Sequence, residues 1–275
     1  MIQKPIFSPQ VEWLPPTEFP DLSKYDEIAI DLETKDPELK TMGSGSVTGR
    51  GHIVGIALAV EGWSGYYPIA HEGGGNMDKK KVMDYFRTIL NYPSKKIFHN
   101  AMYDVCFIRA EGLKINGTIV DTMIAGSLVD ENRFRYDLGS MGRDYVGRGK
   151  KEAVLLETAK EWGIDPKSEM YKLPAMYVGE YAEQDAKLTL ELWQEMKKEI
   201  VHQDIESIFD LETSLFPCLV DMRFLGVRVD IESAHALKQK LVREENQCLQ
   251  QVKKETGIDT QIWAARSIAQ VFEKL

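Results

Sequence analysis

The spacing of apolar positions divides the chain into a strand-bearing first half and a helical remainder. Glu27-Ile28-Ala29-Ile30-Asp31-Leu32 is a short apolar run bounded by acids and predicts a buried strand. Residues 53–61 and 65–70 predict two more, paired as a hairpin around Gly62. Between the first strand and this hairpin, Met42-Gly43-Ser44-Gly45-Ser46-Val47-Thr48-Gly49-Arg50-Gly51 predicts a flexible loop. Helical spacing over 77–90, a strand at 96–98, a helix over 101–111 and a strand at 119–121 follow. Helices dominate from there, including a stretch over about 174–202 that ends in His202. The order β-β-β-α-β-α-β followed by helices predicts an α/β architecture, a mixed sheet covered by helices.

The two ends have a different texture. Residues 1–24 carry Pro5, Pro9, Pro15, Pro16 and Pro20 and predict an extended arm on the surface. Around residue 204 strands give way to long helices over 204–224 and 231–255, with Val227-Arg228-Val229 the one short strand candidate. Gly226 stands where the first of these helices should stop. The expected division is therefore an arm over 1–24, an α/β domain over 25–203 and an all-helical segment over 204–275.

Composition narrows the class without choosing a function. A chain with 43% hydrophobic and 28% charged residues is an ordinary globular protein. No run approaches the ~20 apolar residues of a membrane span, and the N-terminal residues carry no secretory pattern, so a cytoplasmic setting is expected. Cys106, Cys218 and Cys248 are odd in number and far apart, which fits free thiols better than disulfides or a zinc site. A net charge of −9 argues against coating nucleic acid by bulk electrostatics. It leaves room for an enzyme that holds phosphates through cations gathered by carboxylates.

Three acidic motifs stand out. Asp31-Leu32-Glu33 ends the first strand, where positions i and i+2 share a face. With 43 acids in 275 residues, roughly seven acid-x-acid pairs arise by chance, so the distinguishing feature is the place directly after an apolar strand. Phe98-His99-Asn100-Ala101-Met102-Tyr103-Asp104 runs from a strand into a helix, with Asn100 readable as its N-cap and Asp104 in its first turn. Tyr181-Ala182-Glu183-Gln184-Asp185 places Tyr181 and Asp185 on one helix face.

In order, spacing and context together, these motifs resemble the DnaQ-like exonucleases of the ribonuclease H-like fold. Asp31, Glu33, Asp104 and Asp185 match that family's four acids, and Tyr181, four residues before the last, resembles its tyrosine branch. Asp121-Thr122-Met123-Ile124 and the stretch from Leu215 to Asp230 resemble the proofreading domains of family A DNA polymerases, with a softer likeness to bacteriophage members. The resemblance implies a 3′→5′ exonuclease that removes nucleoside 5′-monophosphates from single-stranded or frayed DNA 3′ ends. It also implies that 204–275 opens a polymerase domain lacking palm and fingers, so this chain alone degrades a primer without extending it. Leu237, Leu241, Val252, Ile262 and Val271 would then face a surface that the rest of the polymerase covers.

Hard oxygen ligands imply two Mg²⁺ ions, with Mn²⁺ able to substitute. Asp31 is assigned as the bridging ligand, Glu33 and Asp185 to the nucleophile side, and Asp104 to the other ion. Tyr181, with an ordinary pKa near 10, is expected to orient the attacking water rather than act as a base. Thr34, Leu39, Asn100 and Phe107 are candidate contacts to the terminal nucleotide. Arg143, Arg148, Lys150 and Lys151 are candidates to guide a strand along its phosphates, against the plainer reading of a solvated face. His99 is expected to pack or hydrogen-bond, and Arg50 has the reach for a phosphate. Two alternatives remain open on the sequence: a ribonuclease D-like RNA exonuclease, and a non-catalytic exonuclease-fold scaffold.

Overall fold

A computed structural model of the chain describes residues 10–275. Its contacts divide into two compact units, the first ending at Phe224 and the second spanning Leu225–Leu275.

The first unit is built on one five-stranded mixed sheet. Its strands are β1 (Glu27–Lys35), β2 (His52–Val60), β3 (Trp63–Pro68), β4 (Lys95–Phe98) and β5 (Ile119–Asp121). Their order is β3-β2-β1-β4-β5; β2 pairs antiparallel with β1 and β3, while β4 pairs parallel with β1 and β5. The α/β reading and its mixed sheet are thus observed, and the predicted hairpin turns at Gly62, where φ is +79°.

Alternation along β1 sends unlike side chains to the two faces. Ile28, Ile30 and Leu32 join Ile56, Leu58 and Phe98 in a bulky core with helices α3 (Lys79–Asn91) and α4 (Ala101–Ala110). On the other face Ala29, Ala57 and Ala59 meet Ala182, Ala186 and Trp193 of α8 (Gly179–His202). Small side chains on both sides let α8 lie close against the sheet. The arm is anchored by Leu22, which is buried, and by Trp13, whose ring packs on Gly179 and whose Nε1 donates to Glu183 at 2.9 Å.

The structure differs from the pattern in three places. Residues 42–51 do not form an open loop, because α1 (Leu39–Met42) and α2 (Gly45–Thr48) are single helical turns. The Asp36 carboxylate accepts from Gly45 N at 3.1 Å, and a Cβ at Gly45 would meet Gly51 N at 2.6 Å, so only glycine permits the fold-back. The long helix starts at Gly179 rather than near 174, since Ala175–Tyr177 forms a separate 3₁₀ turn. Val227 to Val229 form no strand; all three are exposed, so none has the half-buried face that favours one.

Helices α5 (Thr122–Val129), α6 (Leu138–Met141) and α7 (Ala153–Trp162) complete the cover, and α9 (Glu206–Leu225) follows α8. Phe216 and Val220 of α9 belong to the bulky core, so contacts divide later than the textural change at 204. The second unit contains α10 (Ile231–Thr256) and α11 (Ala265–Phe272). Asp230 caps α10 by accepting from Ser233 N, and Gly257 ends it at φ +74°. Leu237, Leu241 and Ile262 are exposed, whereas Val271 is buried.

His71 ties two segments beside the sheet. Its Nδ1–H donates to Leu173 O at 3.0 Å, which leaves Nε2 to accept from the Tyr66 hydroxyl at 2.7 Å. Burial pushes its pKa down from 6.5 to about 4. The unfolded chain therefore takes up this proton near 6.5 and the folded chain only near 4, so stability is present above that window and lost as pH falls through it. The wild-type melting temperature should fall more steeply between pH 6.5 and pH 4 than that of His71→Gln; parallel slopes would show that His71 does not carry the effect.

Candidate active site

The site forms where β4 stops short. Strand β4 pairs with β1 only as far as Ala29, so the edge of β1 beyond it needs another partner. Helix α4 begins there, and Asp104 in its first turn accepts from Leu32 N at 2.9 Å. This one bond places Asp104 beside the β1 residues that flank Leu32, namely Asp31 and Glu33. The expected Asn100 cap is not made. Asn100 occupies the N-cap position at φ +63° without a side-chain bond, and the Asp121 carboxylate of β5 instead accepts from Asn100 N at 3.0 Å and Ala101 N at 2.8 Å. The side chain of Asn100 is thus left exposed at the site's edge.

Asp31 and Glu33 project to the α8 face. Their neighbours on β2 are Ala57 and Gly55, which leave space above the strand. A Cβ at Gly55 would meet the Tyr66 hydroxyl at 2.0 Å, so the glycine makes room for the Tyr66–His71 pair alongside Glu33. From α8, Asp185 enters the same space with its side chain only 2% exposed. Tyr181 lies one turn earlier.

A cation completes the group. Lys150 Nζ donates to Asp185 Oδ2 and to the Tyr181 hydroxyl, the latter at 3.1 Å, and stands 5.1 Å from the Tyr181 ring centre. The other Asp185 oxygen, Oδ1, is buried without a partner among the described residues. Lys150 is thus not one of a set of strand-guiding basic residues, because it points inward. The clue in the sequence is electrostatic, since a desolvated acid cluster needs a counter-charge and the basic run 148–151 supplies one.

Titration follows from the crowding. Burial and then Asp185 raise the Asp31 pKa to about 7. Burial raises Glu33 well above its ordinary value, with Asp31 and Asp185 adding to the effect. Asp104 is raised by burial and by Asp31, and Asp185 by burial against the opposing pull of Lys150. Burial acts to lower Lys150, yet Asp185, Asp31 and Glu33 together hold it above the usual lysine value. Burial and Asp185 likewise push Tyr181 up, so its phenol stays protonated.

The remaining candidates separate. Thr34 shares a 2.7 Å hydrogen bond with the Tyr103 hydroxyl, and Leu39 is exposed on α1. Phe107 is 1% exposed and packs against Tyr103 with the two rings tilted by 58°, inside the core, so it is not presented to a nucleotide. Arg148 is tied to Glu191 and Gln184, which leaves little of its guanidinium for a phosphate. Arg143 is exposed beside Ser140, Lys151 is exposed beside Glu180, and Arg50 pairs with Glu38. His99 hydrogen-bonds Thr122 Oγ1 at 2.9 Å, as expected of a packing residue.

All donors in the cluster are oxygens, the set that suits hard divalent cations. The orphaned Asp185 Oδ1 and the raised carboxylate pKa values both fit added positive charge. Among the described residues no three Asp, Glu, His or Cys side chains converge tightly enough to enclose an ion as they stand. The positive charge in their midst is the Lys150 ammonium.

The five-stranded mixed sheet flanked by helices is of the ribonuclease H-like kind, with Asp31 and Glu33 on its first strand and Asp104 and Asp185 brought to that strand by α4 and α8. Residues 19–201 match the model of the 3′-5′ exonuclease family, and the chain belongs to that family, the exonuclease domain of family A DNA polymerases. A DNA-directed DNA polymerase of Pseudomonas phage M6 is 33% identical over 287 residues, covering 100% of this chain and 43% of that protein. DNA polymerase DpoZ of Salmonella phage PMBT28 is 28% identical over 262 residues, covering 93% of this chain and 40% of that protein. The chain thus spans well under half the length of these relatives. The POL domain of Pol1 from M. smegmatis, solved in complex with DNA primer-template and dNTP, has a TM-score of 0.60 at 15% identity, covering 92% of this chain and 38% of that one. Brucella melitensis NrnC with bound Mg²⁺ has a TM-score of 0.53 at 16% identity, covering 77% of this chain and 92% of that one. Among the described residues no helix is long and apolar enough to cross a membrane.

Because the Tyr66 hydroxyl lies over Gly55, Gly55→Ala should destabilise the fold by about 1–3 kcal/mol, the usual cost of overpacking a filled core. Urea unfolding would measure it, and unchanged stability would mean that Tyr66 moves aside freely.

Proposed function

We propose that this chain is a divalent-metal-dependent 3′→5′ exonuclease that removes nucleoside 5′-monophosphates from single-stranded or frayed DNA 3′ ends. It serves as the proofreading part of a family A DNA polymerase in the cytoplasm of a bacterium or phage-infected host. The observation that carries this reading is the gathering of Asp31, Glu33, Asp104 and Asp185 beside β1, tied together by Leu32 N and Lys150, with Tyr181 next to them.

Asp31 would bridge two cations, Glu33 and Asp185 would hold the one on the nucleophile side, and Asp104 would serve the other. Bound there, Mg²⁺ or Mn²⁺ supplies an activated water and stabilises charge on the leaving 3′ oxygen. The protein's own contribution is positional. Leu32 N fixes one Asp104 oxygen and leaves the other free. Tyr181, kept neutral by burial and by Asp185, accepts from Lys150 and retains its hydroxyl proton to donate to the attacking water or a phosphate oxygen. The exposed Asn100, Leu39 and Arg143 are the remaining candidates to meet the nucleotide and its neighbours.

Incubated with end-labelled single-stranded DNA and Mg²⁺, the chain should give a ladder shortening from the 3′ end, with no extension when deoxynucleotides are added. Activity should vanish in EDTA and return with Mg²⁺ or Mn²⁺, whereas full digestion in chelator would refute the metal reading. A faster rate on RNA than on DNA would favour the ribonuclease D-like alternative.

Asp31→Ala and Asp185→Ala should lose most of the rate while remaining folded, since each removes one of several like charges. Tyr181→Phe should fall less, on the order of tenfold to a thousandfold, the range for one positioned group. Normal digestion by Asp185→Ala would remove α8 from the active site.

A further inference from the structure

We propose that Lys150 is a positioning residue of this site, its ammonium and the divalent cation exchanging at the Asp185 carboxylate. The inference rests on the metal-dependent reading above. The basic run around Lys150 suggests, at most, a guide for a strand, but the geometry of this lysine fits a different task. Nζ bonds one Asp185 oxygen while the other is buried and unpartnered, so the carboxylate is half coordinated. The lysine side chain is 23% exposed, and its charge faces Asp31 and Glu33 as well as Asp185.

A cation at Asp185 would place two like charges on one carboxylate, at a separation where repulsion amounts to several kcal/mol even in a moderately polar protein site. The ammonium must give way, and its flexible four-carbon stem permits that. Its second partner is already in place, because Nζ lies 3.1 Å from the Tyr181 hydroxyl. Cation arrival therefore moves Lys150 from a shared bond onto Tyr181 alone. That change fixes which lone pair of the phenol is occupied and turns its proton toward the incoming water or phosphate.

A merely structural lysine would make the opposite prediction. If Lys150 only relieved repulsion and held the acids in place, its removal would loosen cation binding. If it competes, removal tightens it. The decisive measurement is a calorimetric titration of the full chain with Mn²⁺, without DNA and at constant pH. Lys150→Met should bind Mn²⁺ about tenfold more tightly than wild type, within the usual range for coupling between two ligands of one site. Lys150→Arg, which keeps the charge, should stay near wild type. Lys150→Gln gives the same readout if the methionine variant fails to fold. Equal or weaker binding by the neutral variants, with wild type binding normally, overturns the exchange and leaves the metal reading intact. Tightening in Lys150→Arg as large as in Lys150→Met also overturns it, because charge would then not be the cause. No binding by wild type or variants overturns the metal reading and this inference with it.

Discussion

Mutual repulsion among Asp31, Glu33, Asp104 and Asp185 is the constraint around which the first unit is arranged. Asp104 and Asp185 are buried and Asp31 and Glu33 half-buried, and each is harder to ionise than an isolated acid. Such a group persists only if neighbours supply donors or counter-charge. The chain supplies both. A backbone N–H that the short β4 leaves without a strand partner goes to Asp104, and the Lys150 ammonium goes to Asp185. Neither suffices for all four, and the Asp185 Oδ1 left without a partner records the shortfall.

The same constraint explains why the two faces of one sheet are built so differently. The face away from the acids is filled by Ile28, Ile30, Leu32, Ile56 and Phe98, large side chains that form an ordinary core. The acid face carries Ala29, Ala57, Ala59 and Gly55, which bring little bulk, beside the larger Tyr66, Ile97 and Val120. Helix α8 can therefore come close enough for Asp185 to reach the same point as residues of β1. Bulky side chains at Ala57 and Ala59 would lift α8 away and leave Asp185 without its neighbours. The small residues are part of the site although none of them touches a ligand.

Local periodicity makes much of this legible in the sequence. The strand-end pair Asp31 and Glu33 follows from two-residue alternation, and Tyr181 with Asp185 from helical spacing. What stays hidden is long-range. Arg148 and Lys150 belong to one basic run, yet the first pairs outward with Glu191 and the second turns in to Asp185. No one-dimensional pattern tells those directions apart. Asp121 capping α4 from another strand and Gly45 folding back on Gly51 depend on approach between segments in the same way. Phe107 belongs to a helix whose apolar residues do not segregate to one side, so periodicity does not tell whether it faces a nucleotide or the core.

The overall charge of −9 looks ill suited to a polyanionic substrate, and the site makes the difficulty local. Among the described residues, four acids against one lysine make a cluster that repels a phosphate whenever most of the acids are ionised. On the proposed reading this repulsion is useful. A DNA end gains no hold from the acids alone, so productive binding waits for cations, and the same ions that admit the phosphate are those that activate the water. The raised carboxylate pKa values belong to that logic, because each proton held by an acid is charge that a cation can replace. Lys150 fits as the permanent positive group that the described residues place there, strong enough to keep Asp185 in register and too weak to substitute for two divalent ions. An additional fixed basic residue at this point would ease phosphate binding, but it would also lower cation affinity and separate binding from chemistry. The scarcity of fixed positive charge at the acids is therefore a feature expected of the mechanism rather than a defect it must overcome.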